Sequence, residues 1–129
     1  MSKTIASMMT KQTVSVAMDD SILQVENVLR SNKLSAVPVL ERINGAALGI
    51  ISLGDLTSFH FEKKDAGAVH AWEICSYKPV EVSPDTPAIE VARLMLSKGV
   101  HHILVIENRA IVGIVSSLDF VRQFIEDEN

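Results

Sequence analysis

Aromatic side chains are scarce in this sequence, at 5% of its 129 residues. A core built from it must be aliphatic, and few flat rings are present for nucleic-acid bases to stack on. Basic residues are not in excess: 12 lysines and arginines face 16 acids, for a formal charge of −4. Without a basic face to neutralise phosphates, nucleic-acid binding is not expected. Cysteine occurs once, as Cys75. That excludes an intramolecular disulfide, suits a reducing cytoplasm and points to a buried structural thiol. No apolar stretch is long enough to cross a bilayer, and the N-terminus lacks the charged-then-apolar run of a signal peptide. These absences lead to the expectation of a soluble cytoplasmic protein with no membrane partner.

What is present is a repeat. Gly49 to Asp55 is GIISLGD, and Gly113 to Asp119 is GIVSSLD. Val14 and Val16 align with Val80 and Val82, and Leu23, Val25 and Leu29 align with Ile89, Val91 and Met95. The offset is sixty-six residues at first and sixty-four after the longer Glu41–Leu48 turn. The chain divides into a first repeat at 1–64 and a second at 65–129, joined at the polar stretch Lys63–Gly67. Length predicts that the two share one core. With 47% apolar residues there is ample material for it.

Each repeat predicts the order β-α-β-β-α behind a short helical lead-in, Ser2 to Met9 in the first and Val69 to Cys75 in the second. Trp72 and Ile74 are expected as anchors of the second lead-in. Val14 to Val16 is a strand, and Asp19-Asp20-Ser21 caps a helix with an apolar face of Ile22, Val25, Val28, Leu29 and Leu34, ending near Ser31-Asn32. Ala36–Leu40 is a strand in which Pro38 suggests an edge or a bulge, and Asn44-Gly45 is a hairpin signal. Ala46–Ser52 returns, and a helix begins at Asp55. In the second repeat, Val80–Val82 is a strand and Ser83–Pro87 starts a helix over Ala88–Lys98, stopped by Gly99. Strands at His102–Ile106 and Ala110–Ser116 then flank a tight turn, and Ser117–Glu128 is the last helix.

The duplicated Ser-x-x-Asp carries the chemistry. Ser52 and Asp55, and likewise Ser116 and Asp119, would share one rim. A carboxylate there can accept two hydrogen bonds from a vicinal diol such as a ribose, while the hydroxyl and first helical N–H groups can receive an anionic oxygen. That combination suits a nucleoside phosphate. The plainer alternative is that both aspartates only cap helices.

These residues resemble a tandem pair of CBS domains, the cystathionine-β-synthase-type regulatory module. GIISLGD at 49–55, GIVSSLD at 113–119, Ser-Ala-Val-Pro-Val at 35–39 and His-His-Ile-Leu-Val at 101–105 carry the likeness over essentially the whole chain. The resemblance implies an α+β fold, a tandem pair of β-α-β-β-α repeats packed with pseudo-two-fold symmetry, with clefts at the interface. It implies an adenosine-type regulatory ligand (AMP, ADP or ATP, less often S-adenosylmethionine or NAD), no required cofactor, a homodimer and a regulated partner protein. By the same resemblance Asp55 and Asp119 would hold ribose hydroxyls, Ser52 and Ser116 would approach phosphate, and His101 and His102 would face phosphate. Val14, Val80 and Val37 or Ile103 would lie against the base.

Two departures matter. The family often places a second Ser or Thr before the aspartate, where Gly54 and Leu118 stand here, so each site lacks one phosphate donor. Leu104 occupies the place of Pro38, and His101-His102 that of Ser35-Ala36, so the two sites are not expected to be equivalent. The Asp119 motif, with its histidines, is the favoured one. His60 and His70 are expected at the surface, and no metal site is expected, since His101 and His102 face opposite ways on a strand. The leading function is a non-enzymatic nucleotide sensor. A ligand-free dimerisation or docking module is the alternative, and catalysis is not expected without a nucleophile elbow or an oxyanion loop.

Overall fold

A computed structural model describes residues 3–11, 14–42 and 45–128. A 3₁₀ turn at Ile5–Ser7 precedes β1 (Thr10–Lys11), β2 (Val16–Ala17), α1 (Ile22–Asn32), β3 (Ala36–Leu40), β4 (Ala47–Ser52) and α2 (Leu53–Phe61). Then come α3 (Ala71–Ile74), β5 (Ser76–Tyr77), β6 (Glu81–Val82), α4 (Ala88–Lys98), β7 (His102–Glu107), β8 (Ala110–Ser116) and α5 (Ser117–Asp127). The architecture is α+β, with two four-stranded mixed sheets. The residues form two compact units, one spanning Val14–Pro79 and the other joining the N-terminal segment to the residues from Val80 onward. Each unit has its own apolar cluster.

In the unit Val14–Pro79 the strand order is β2-β3-β4-β5, with β2 parallel to β3 and the other pairs antiparallel. Helix α1 starts at a reciprocal cap: Ser21 Oγ accepts the Gln24 N–H at 3.1 Å, and Gln24 Oε1 accepts the Ser21 N–H at 2.7 Å. It stops at Lys33, in the left-handed region at φ 53°. Ile22, Val25 and Leu29 recur at helical spacing and meet Val37, Val39, Ile51 and Phe59 in the buried cluster. Asn44 lies outside the described residues, while Gly45 takes the positive φ of 69° that a tight turn asks of glycine.

In the other unit the order is β1-β8-β7-β6. Helix α4 ends at Gly99, φ 65°. Asn108 and Arg109 both have positive φ, 51° and 67°, as a two-residue type I′ hairpin turn demands. Val91 and Met95 of α4 pack with Ile5, Ile103, Val105 and Val115.

The lead-ins are exchanged between repeats. β1 pairs antiparallel with β8 of the second repeat, and β5 pairs with β4 of the first. This explains the first glycine of each repeated motif. A Cβ on Gly49 would collide with the Ser76 carbonyl oxygen and Cys75 Sγ, and one on Gly113 with the Met9 side chain. Both lead-ins must turn into strands at once, so their expected helices shrink to Ile5–Ser7 and Ala71–Ile74. Trp72 is 43% exposed and is no anchor, whereas Ile74 packs against the cluster.

Pro38 sits in an interior strand, next to an irregularity between Val39 and Leu40. Its missing N–H has a visible effect. In the second repeat Leu104 N–H donates to the Val80 carbonyl at 3.0 Å, and parallel pairing begins at Glu81 and Leu104. In the first repeat, with proline in that place, pairing begins one residue later, at Val16 and Val39.

Candidate functional site

Each Ser-x-x-Asp lies where a strand runs straight into a helix, with the serine as N-cap and the aspartate at the third helical position. At the first motif, Asp55 Oδ2 accepts the Ser52 N–H at 2.8 Å and the Ser52 hydroxyl at 3.1 Å. Ser52 Oγ in turn accepts the Asp55 N–H at 3.3 Å. One carboxylate oxygen is thus committed to the helix start, while Asp55 Oδ1 accepts nothing among the described residues. Asp55 is half-buried at this rim.

The second motif is closed differently. Asp119 Oδ2 accepts the Ser116 N–H at 2.8 Å, as in the first copy, but Oδ1 accepts Arg122 Nη1 at 2.9 Å. The Asp119 side chain is 6% exposed and that of Arg122 64%. Position 58, the counterpart of Arg122, is Ser58. Arg122 was missed from sequence, although its spacing three residues after Asp119 on a helix is a signal for such a pair.

The strand register settles which motif the histidines join. His102 is paired across the ladder with Ser116, whereas Ala36 is the residue opposite Ser52. Residues directly opposite share a face about 5 Å apart, so a half-buried imidazole stands beside the second motif and a methyl group beside the first. His101 is exposed, and its carbonyl accepts the Ser117 N–H at 3.0 Å. Val14 and Val80 are partly buried just ahead of β2 and β6, not within them. Val37 and Ile103 are 0% exposed inside the two clusters, so they back the site rather than offer it surface.

The remaining titratable groups are structural. Burial pushes the Cys75 thiol above its ordinary range, in keeping with a buried thiol. The His70 backbone N–H, bonded to Glu73 Oε2 at 2.7 Å, draws the Glu73 carboxyl down. His60 is half-exposed and bonded to Glu26 Oε1 at 2.5 Å. The two are thirty-four residues apart, so spacing alone could not pair them. Among the described residues, no cluster of His, Cys, Asp or Glu could hold a metal ion, and no helix is long and apolar enough to cross a membrane.

The CBS-domain sequence profile matches twice, at residues 5–62 and 71–126. The chain belongs to the CBS-domain family. This CBS pair is 31% identical over 127 residues to the uncharacterized protein MJ0188 of Methanocaldococcus jannaschii, covering 98% of the chain but 46% of that relative. The chain therefore spans less than half the length of the curated relative it matches. Among solved structures, it superposes on the CBS domain pair of protein MJ0100 in complex with 5′-methylthioadenosine and S-adenosyl-L-methionine. That match has a TM-score of 0.86 and 22% identity, covering 98% of each chain. A hexameric CBS-CP12 protein from bloom-forming cyanobacteria matches at TM-score 0.88 and 23% identity, over 99% of this chain and 81% of the other. At these identities the structural likeness concerns the fold.

Proposed function

We propose that this CBS pair is a non-catalytic regulatory module that binds an adenosine-type ligand, AMP, ADP or ATP, at its Ser–Asp motifs. It signals to a regulated protein, acts in the cytoplasm and forms a homodimer, and its working copies are the repeats 1–64 and 65–129. The observation that carries this reading is Asp55: one oxygen holds the helix start, and the other is left over for a diol. Fold likeness to a pair that binds two adenosine compounds supports the same class. Ser52 donates to Asp55, so its hydroxyl turns toward phosphate only by leaving that bond, while the α2 N-terminus supplies N–H groups without rearrangement. This shifts the favoured site from Asp119 to Asp55, because Arg122 already fills the second carboxylate.

A ligand that prefers one conformation of the pair would bias it, and a partner sensitive to that bias would read the ligand. The test is calorimetric titration of AMP, ATP, S-adenosylmethionine and NAD into the wild type and the Asp55→Asn and Asp119→Asn variants. Binding that is lost mainly with Asp55→Asn is the expected result; no heat with any of the four compounds would overturn the reading. The alternative, a ligand-free dimerisation or docking module, is favoured by one observation: Arg122 saturates Asp119. An unchanged melting temperature under saturating nucleotide would select it.

A further inference from the structure

The two units fasten their lead-ins with different chemistry. Ile22 N–H donates to the Val69 carbonyl at 2.9 Å, and at the matching place in the other unit Ala88 N–H donates to the Lys3 carbonyl at 2.8 Å. Lys3 therefore stands where Val69 does, sixty-six residues apart, and Gln123 stands where Phe59 does, sixty-four apart. Phe59 is buried in its unit's apolar cluster, and Val69 packs against that cluster. In the other unit both places are polar. Gln123 Nε2 donates to Asp127 Oδ1 at 2.8 Å, and Lys3 Nζ lies 3.6 Å from the same oxygen.

This triad is a weak fastening. The Lys3 and Asp127 side chains are each 44% exposed, so water and salt screen their attraction. Gln123 is 7% exposed, yet its Oε1 accepts no hydrogen bond among the described residues. A buried acceptor without a donor costs free energy that water returns once the group is uncovered. Little else holds the segment. Ile5 is the one buried side chain of residues 3–11. The Ile5 and Ala6 N–H groups donate to the Thr86 and Pro84 carbonyls, and only Thr10 and Lys11 pair with β8.

We infer that the segment Lys3–Lys11 is a strap that opens from its unit when the Lys3–Asp127–Gln123 triad breaks, and that ionic strength sets how often it opens. The strap touches both parts of the frame around the second motif. Lys3 reaches the last turn of α5, and β1 borders β8, which ends at the motif serine, Ser116. Opening thus removes an edge strand from β8 and a tie from α5 in one event. The lead-in at Val69–Cys75 has no such response, because its apolar seal carries no charge for salt to screen. The strap rests on no part of the proposed nucleotide chemistry.

Hydrogen exchange read by mass spectrometry tests this on the whole nucleotide-free chain, in about 10 mM and about 1 M sodium chloride, where the screening length falls from about 30 Å to about 3 Å. The probe is Ile5–Met9, whose amides are all hydrogen-bonded, and Ala71–Cys75 is the internal reference. In wild type, salt should speed exchange of the probe about two- to fivefold relative to the reference. Asp127→Asn keeps an acceptor for Gln123 but removes the charge, so at low salt it should already exchange at the high-salt rate. Lys3→Val/Gln123→Phe copies the apolar pair of the other unit, and should slow the probe about tenfold and abolish its salt response. Probe and reference that respond alike to salt, or an Asp127→Asn variant that matches wild type at low salt, would overturn the inference. So would a folded double variant that exchanges as fast as wild type. Circular dichroism checks folding, and if the double variant does not fold, Asp127→Asn decides alone.

Discussion

Replacing Arg122 by alanine releases Asp119 from its partner and tests whether that pair closes the second site. The contact is a 2.9 Å charge-assisted hydrogen bond at i,i+3 on α5, and the arginine is 64% exposed. Water already solvates most of that guanidinium, so the pair contributes only about 0.3–1 kcal/mol. The helix start survives, because Asp119 Oδ2 keeps the Ser116 N–H. The expected loss of stability is about 0.5 kcal/mol, or roughly 2 °C in Tm for a chain of this size. A diol binding Asp119 must first displace the arginine, so its removal should tighten binding by about two- to fivefold. Adenosine is the ligand to titrate, because without a phosphate it gives Arg122 no other role, and an Asp55→Asn background leaves only the second motif to read. Calorimetry measures the affinity and differential scanning fluorimetry the stability. Unchanged or weaker adenosine binding would refute the idea that Arg122 competes for the carboxylate. A destabilisation beyond about 2 kcal/mol would refute the view of a weak, solvent-facing pair.

Other expectations follow from the same geometry. Gly49→Ala places a methyl against the backbone of Ser76 and should destabilise by about 1–3 kcal/mol. Gly113→Ala meets only the Met9 side chain, which can move, so thermal melts should place it within about 1 kcal/mol of wild type. Ser21→Ala removes the hydroxyl that accepts the Gln24 N–H and should cost about 1 kcal/mol in urea denaturation. Burial raises the Cys75 pKa in the folded chain. Below about pH 8.5 the thiol is protonated in both states and has no effect; above it the unfolded chain ionises first, so stability falls as pH rises. Urea midpoints at pH 8 and 10 should therefore fall less in Cys75→Ala than in wild type. Alkylation of the native thiol should be slow.

The regular elements were legible because each is a local pattern. Ile22, Val25 and Leu29 mark a helix face, Gly99 stops a helix, and the two Gly-to-Asp motifs mark a strand running into a helix. The same patterns named the family and the paired serines and aspartates. What escaped depends on residues far apart in sequence. The pairing of β1 with β8 crosses about a hundred residues, and Trp72 is 43% exposed on a lead-in whose strand pairs with the distant β4. Arg122 is the exception, because its position three residues after Asp119 on one helix is a local signal.

The exchanged lead-ins also set an order of assembly. The unit Val14–Pro79 is one continuous stretch, so on a ribosome it holds all its strands once Tyr77 has emerged. The segment that precedes it waits for distant partners: Thr10 and Lys11 have no strand to join until Gly113 and Ile114 are synthesised. Until then Ile5, fully buried in the folded unit, lacks the Ile103 and Val115 side chains it packs with. A cut in the Lys63–Gly67 stretch would strand Ser76 and Tyr77 away from β4, so the repeats cannot be separated there as two self-sufficient proteins.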